Sequence, residues 1–97
     1  MESMQLGDKI ELINFNGFDR DKLLVVRKIV GNFVKNLQEK QPDFENLNLV
    51  FNSVHETKSE IKGKLRIGGK DYHSEIVDFN LFFALNSVLG KLEREIR

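Results

Sequence analysis

No cysteine occurs among the 97 residues, so disulfide bonds and thiolate chemistry are excluded. This absence is consistent with a reducing compartment, and we expect a cytoplasmic protein. Long apolar runs are also missing, and the start MESMQLGDKIEL has no apolar stretch behind a basic end. Secretion by a signal peptide and membrane spanning are therefore not expected.

An excess of one charge is missing as well. Fifteen basic and fifteen acidic side chains cancel. The chain therefore lacks an overall positive field that would gather nucleic acid or an anionic membrane, and any such binding must depend on local clusters. A hydrophobic share of 40% with a charged share of 31% is that of an ordinary globular chain, and the length fits a single domain.

Recognised catalytic and metal-binding motifs are absent from the sequence. The two histidines, His55 and His73, have no known metal-ligand spacing and no cysteine beside them. Gly68, Gly69 and Lys70 lack the spacing and the following helix of a phosphate-binding loop. No serine lies in a G-x-S-x-G context. We therefore expect neither an enzyme nor a bound cofactor or metal ion.

What the sequence does contain is an ordered series of strand and helix patterns. Strands are indicated by alternating apolar residues, and helices by apolar residues three and four apart. Asp19 can cap the first helix, and Asp78 or Asn80 the second. Six segments follow in the order β-α-β-β-β-α: 9–15, 19–40, 47–55, 60–67, 70–78 and 78–97.

Each predicted helix has one apolar stripe, which a sheet must cover. The sequence therefore predicts a two-layer α+β sandwich, with a four-stranded sheet and both helices on one face. The other face of the sheet is expected to be open. We predict a single domain over residues 9–97 and a flexible N-terminal segment over residues 1–8.

The Gly68-Gly69 pair fixes the register of the predicted hairpin. A two-residue loop places Arg66 opposite Asp71 and Lys62 opposite Glu75. Side-chain alternation then puts the cations on one face and the apolar residues on the face that the helices cover. Because two cations face carboxylates, the pattern favours a solvated, charge-paired surface over an RNA-binding one. The apolar set is Ile61, Leu65, Tyr72 and Ile76.

The helices contain two further candidate surfaces. The first helix has six basic and three acidic residues, and Lys28 and Lys35 lie on its solvent side, where they could follow phosphates. The second helix places Phe83 away from its apolar stripe, with Ser87 and Gly90 on the same side. Small residues beside an exposed phenylalanine would let another helix approach closely, which indicates a possible oligomer interface.

The second helix also resembles that of the bacterial ribosome hibernation promoting factors, also called ribosome-associated inhibitor A or protein Y. That family has a pattern like D-M-Y-x-A-I-D-x-x-x-D-K-L. The run NLFFALNSVLGKL, residues 80–92, follows it, with Lys91 and Leu92 at the final K-L. Neutral residues stand at the three acidic positions: Asn80, Asn86 and Gly90. More loosely, the resemblance extends over residues 9–97.

This resemblance implies a fold like that of double-stranded RNA-binding domains, and binding to small-subunit ribosomal RNA through basic residues of both helices. It supports Lys91 and, more loosely, Lys28, Lys35 and Arg94 as RNA-binding residues. The expected function is non-catalytic restraint of translation by occupying small-subunit RNA. The alternative is a homodimeric interaction module of the same fold that binds no RNA, with Phe83, Ser87 and Gly90 at its interface.

Overall fold

The computed structural model describes residues 2–96, which form an α+β fold of one five-stranded sheet and two helices. The predicted segments are all present, with adjusted ends. In chain order the elements are β1 (Ser3–Leu6), β2 (Ile10–Ile13), α1 (Arg20–Lys40), β3 (Phe44–Val54), β4 (Lys58–Ile67), β5 (Lys70–Asp78) and α2 (Leu81–Glu95).

The predicted count of four strands was wrong, because the first eight residues contribute a fifth. β1 pairs antiparallel with β2, so that Met4 lies opposite Leu12 and Leu6 opposite Ile10. Gly7, with φ +72°, begins the turn between them. Met4 and Leu6 pack against the core, which explains why so short a strand docks. The flexibility predicted for residues 1–8 and the single domain predicted for residues 9–97 stay predictions.

The strands follow one another across the sheet in the order β1-β2-β3-β4-β5. β2 and β3 are parallel and are connected through α1, whereas every other pair is antiparallel. α2 packs on β4 and β5 and also contacts α1. The buried residues of both helices share one core cluster with the strands, so both helices cover the same sheet face. Likeness to double-stranded RNA-binding domains stays a prediction.

Strand alternation separates a core face from an open face. Ile10, Leu12, Leu47 and Leu49 lie under the helices and are buried, as is Leu65 of β4. Their sequence neighbours point to the other side of the sheet, which neither helix covers. No charged or polar side chain is fully buried within residues 2–96, so the core is held together by apolar packing.

The predicted hairpin register is confirmed at every pair. Ile67 pairs with Lys70 and Arg66 with Asp71, around a turn in which both glycines have positive φ. One predicted ionic contact is missing: Lys62 lies opposite Glu75, but no ion pair within 4 Å joins them in the described chain. Cross-strand position alone therefore does not bring these two long side chains together.

Both helices begin at side-chain caps. The Asp19 carboxylate accepts a hydrogen bond from the Lys22 amide at 2.9 Å, and the Asn80 side chain accepts one from the Phe83 amide at 2.9 Å. Asp78 in turn accepts from the Asn80 amide, so both residues proposed for the second cap take part. Neither helix described in residues 2–96 is long and apolar enough to span a membrane.

Gly63 allows α2 to approach the sheet closely. It lies on the core face of β4, opposite Leu49 on one side and Ser74 on the other. A Cβ at this position would be 3.0 Å from a methyl carbon of Leu92 and 3.3 Å from one of Leu49. The absence of a side chain is therefore what lets Leu92 of α2 reach the strand.

Replacing Gly63 with valine is expected to lower the free energy of unfolding by about 1–3 kcal/mol, because three added carbons must displace Leu92 and Leu49. Urea denaturation measures the change. Gly31→Ala is the matched control: Gly31 is on the exposed side of α1 with no atom within 4 Å of an added Cβ, so alanine should stabilise by about 0.5–1 kcal/mol. Equal stability of Gly63→Val and wild type would contradict the close approach.

Asn80→Ala is expected to cost about 1 kcal/mol of stability, because the Phe83 amide loses its acceptor at the start of α2. Thermal or urea unfolding followed by circular dichroism gives this value. Asn86→Ala serves as the control within the same helix, since Asn86 only donates to the Phe82 carbonyl from an exposed position. It should change stability by less than about 0.5 kcal/mol. Equal losses for both variants would argue against the cap.

Candidate functional site

The exposed side of α1 presents Lys28 and Lys35, as the sequence predicted. The buried stripe of this helix is formed by Val26, Val30, Val34 and Leu37, and both lysines lie on the side away from it. Seven residues of helix separate them by about 10 Å along the axis. Neither lysine forms an ion pair within 4 Å in the described chain. Their charges are therefore available to an anionic partner.

Lys91 and Arg94 lie elsewhere, where α2 borders the edge strand β5. With Glu95 they line one side of an open groove of about 340 Å³, and His73 and Ser74 of β5 line the other. The Lys91 ammonium donates a hydrogen bond to the Glu75 carbonyl at 3.3 Å. No carboxylate pairs with Lys91 or Arg94 within 4 Å in residues 2–96. This groove is the second cationic site of the helical layer.

The four predicted RNA-binding residues thus form two pairs rather than one cluster. Glu93 reaches Lys40 of α1 at 3.9 Å, which identifies the flank of α2 that faces α1. Lys91 contacts β5 instead and therefore lies on the opposite flank. A single ligand must extend over the helical layer to contact both pairs.

The basic stripe of β4 on the open sheet face is partly neutralised. Arg66 contacts Asp71 at 3.0 Å and Glu45 at 3.4 Å, and Lys64 is 4.0 Å from Asp71. The hydrogen bond from Arg66 to Asp71, and the charges of Asp71 and Glu45, raise the pKa of Arg66 above its usual value. Arg66 is exposed, so this network adds little stability. The sheet face is consistent with the charge-paired interpretation.

A further groove lies on the open-face side of β5. It has a volume of about 380 Å³ and is lined by Lys62, Gly63, His73, Ser74 and Glu75. His73 and Ser74 also line the groove beside Lys91, so the two grooves meet at the outer edge of β5. The sequence did not indicate this arrangement, because it depends on α2 lying above the last strand.

The outer face of α2 is apolar at its N-terminal end. Phe83 is 61% exposed, as predicted, whereas Ser87 and Gly90 are half-buried. Phe79 was not among the predicted site residues; it is 72% exposed and has the Lys58 ammonium 5.2 Å from its ring centroid. Its position between the end of β5 and the cap of α2 could have indicated this exposure.

The sequence did not indicate a further surface at the start of α1 either. Arg20, Leu23, Leu24 and Arg27 line a groove of about 440 Å³, and Leu24 is exposed. The Arg27 guanidinium lies 3.7 Å from the Met4 sulfur of β1. This contact places β1 beside the groove, and the sequence did not predict that strand.

These surfaces can bind anions and apolar groups. Within residues 2–96, no cluster of three or more His, Asp or Glu side chains could hold a metal ion. Lys28, Lys35, Lys91 and Arg94 are exposed and lie in two separate pairs, which suits contacts with several charges of an extended anion.

Comparison with known proteins gives similarity at the level of the fold. No family description and no curated protein sequence matches this chain. Among solved structures, a ribosomal subunit interface protein from Coxiella burnetii matches with a TM-score of 0.57 and 10% sequence identity. The match covers 90% of this chain and 89% of that one. At this identity the similarity establishes a shared fold over nearly the whole length of both chains.

Proposed function

We propose that this protein is a non-catalytic, ribosome-associated factor of the cytoplasm that restrains translation by occupying small-subunit ribosomal RNA. The observation that carries the proposal is the fold shared with a ribosomal subunit interface protein over 90% of this chain. The resemblance of residues 80–92 to the hibernation-factor pattern points to the same family independently of the coordinates. Fold alone does not fix function, so the surface chemistry must also fit.

The four helical cations fit such a role. Lys28, Lys35, Lys91 and Arg94 are exposed, and none forms an ion pair within 4 Å in residues 2–96. Neutralising phosphates with such side chains releases counterions, which drives binding without any bond being made or broken. Double-stranded RNA is recognised largely by its shape and its backbone, so the proposed mechanism is occupancy of a structured RNA surface.

Because the four cations lie in two separate pairs, the RNA must place phosphates near both pairs. Lys28 and Lys35 would contact phosphates above α1, and Lys91 and Arg94 would contact phosphates at the β5 side of α2. A folded RNA with two nearby backbone segments meets this requirement better than a short single strand. With a net charge of zero, the protein would depend on these contacts rather than on long-range attraction.

The variant Lys28→Ala, Lys35→Ala, Lys91→Ala is expected to lose most of its binding to small ribosomal subunits. Three fewer phosphate contacts should also reduce the slope of log affinity against log salt by roughly 2. Co-sedimentation with purified subunits over a salt series measures both quantities.

The matched control removes three lysines from the other layer of the protein: Lys58→Ala, Lys62→Ala, Lys64→Ala. It has the same net charge as the first triple variant but leaves both helical pairs unchanged, so it should bind like wild type. Equal loss of binding by the two variants would mean that overall charge, rather than the helical surface, determines binding. Unchanged binding by the first variant would exclude the proposed surface.

A second candidate function is protein–protein interaction through the outer face of α2, as a homodimer. The exposure of Phe83 and Phe79 supports it, because large aromatic side chains left in water are common at interfaces. The half-buried Ser87 and Gly90 would allow a second helix to approach this face. In this case the protein would need no RNA.

Phe83→Asp tests that candidate. If α2 carries the interface, the substitution should shift the protein from dimer to monomer, since a carboxylate would be buried against the partner. Sedimentation velocity measures the mass, and Lys35→Ala, on the other helix, is the control. A wild-type protein that stays monomeric, or a dimer that Phe83→Asp leaves intact, would exclude an interface on this face.

A further inference from the structure

We propose that the outer edge of β5 pairs with β5 of a second copy of this chain, forming an antiparallel dimer about a two-fold axis at Ser74. The pairing would continue the sheet from one copy into the other. This surface differs from the outer face of α2, and the inference does not rest on ribosome binding.

The two edges of the sheet differ in length and protection. β1 has four residues, and short edge strands are a common protection against pairing. β5 has nine residues, contains no proline and keeps an unbroken register with β4 from Ile67–Lys70 to Ser59–Asp78. It therefore lacks both a bulge and a proline that would block another strand. A long, regular edge of this kind is a ready template for strand addition.

The hairpin geometry identifies which main-chain groups face outward. The pair flanking a two-residue turn is hydrogen-bonded, so Lys70 and every second residue after it bond to β4. The amide and carbonyl groups of the intervening residues therefore point away from the sheet: Asp71, His73, Glu75 and Val77. The Glu75 carbonyl fits this assignment, because the Lys91 ammonium reaches it from outside at 3.3 Å.

The side chains of β5 are self-complementary in one register. An antiparallel pairing that uses the whole strand, from Lys70 to Asp78, is centred on Ser74. It places Lys70 opposite Asp78 of the second copy and His73 opposite Glu75 of the second copy. By symmetry each of these contacts occurs twice. The pairing would add about eight main-chain hydrogen bonds.

Neighbouring registers are disfavoured by charge. Centring the pairing on His73 would place Asp71 opposite Glu75 of the second copy, twice. Centring it on Glu75 would place the two copies of that carboxylate directly opposite each other. Like charges facing each other across strands destabilise pairing, so the register about Ser74 is favoured. In that register Tyr72 of one copy lies opposite Ile76 of the second, on the core side of the sheet. Both side chains are only half-buried in the single chain.

In the proposed dimer, the flank of α2 that contains Lys91 would face the same flank of the second copy. α2 lies over β4 and β5, so two copies of α2 would run side by side about 10 Å apart, an ordinary helix packing distance. The Lys91 contact would be exchanged for a main-chain hydrogen bond to Glu75.

The test is a charge-exchange experiment on the full chain, without RNA, by sedimentation velocity over a concentration series. Wild type should be a dimer of twice 11.3 kDa. His73→Glu should raise the dimer dissociation constant at least about tenfold, because it faces Glu75 of the second copy twice. Its monomer should remain folded, since position 73 lies opposite Lys64. Glu75→Lys should also weaken the dimer, because it removes the carboxylate that accepts from His73 of the second copy.

Mixing the two variants separates an edge pairing from a general loss of stability. In the mixed dimer, the glutamate at position 73 faces the lysine at position 75, and Glu75 faces His73, so association should recover to within about threefold of wild type. Phe83→Asp is the control and should remain dimeric. A monomeric wild type, a dimer insensitive to His73→Glu, or a mixture that fails to associate would each overturn the proposal, whatever the result with ribosomes.

Discussion

The structure depends on the unbroken side-chain alternation across β3, β4 and β5. Because these strands keep one register over most of their length, their buried leucines, Leu47, Leu49 and Leu65, point to the same face. A shift of one residue in β3 would expose Leu47 and Leu49 and bury Asn48, and a shift in β4 would expose Leu65 and bury Lys64 or Arg66. The bulge next to Phe44 lies at the end of β3, beyond these central rows, and leaves them undisturbed.

The same alternation explains how a neutral protein can still have distinct charged surfaces. The cations of β4 must share the open face with the carboxylates of β5, and they are partly consumed there in contacts such as Arg66 with Asp71. Side chains on a helix do not alternate between two faces as those on a strand do. The exposed cations Lys28 and Lys35 are therefore not placed opposite the carboxylates of a neighbouring strand. Lys28 and Lys35 have the same charge as Lys64, but unlike Lys64 they have no carboxylate within 4 Å among residues 2–96 and can contact a ligand. For a polyanionic ligand, that difference matters more than the net charge of zero.

Sequence determined the parts of the fold that local chemistry specifies. The Gly68-Gly69 turn fixed the hairpin register, and Asp19 and Asn80 marked the helix starts, because turns and caps are set by a few adjacent residues. β1 was missed because a four-residue strand is held by its partner β2 and by the core rather than by its own pattern. The separation of Lys91 from Lys28 could not be predicted either, since it depends on which flank of α2 meets β5.

The arrangement of the helices over the sheet leaves the β5 edge open to another strand. Helices can cover the face of a sheet but not its edge, because edge amides and carbonyls point within the plane of the strands. Here α2 lies over β4 and β5, so one of its flanks lies at the β5 edge. Within the described residues, Lys91 is the only side chain that hydrogen-bonds to the main chain of β5. One exposed ammonium group satisfies one carbonyl of the strand and leaves its outward amides to water. The fold thus buries its apolar surface within one chain, while the hydrogen-bonding capacity of its longest edge remains open to another strand.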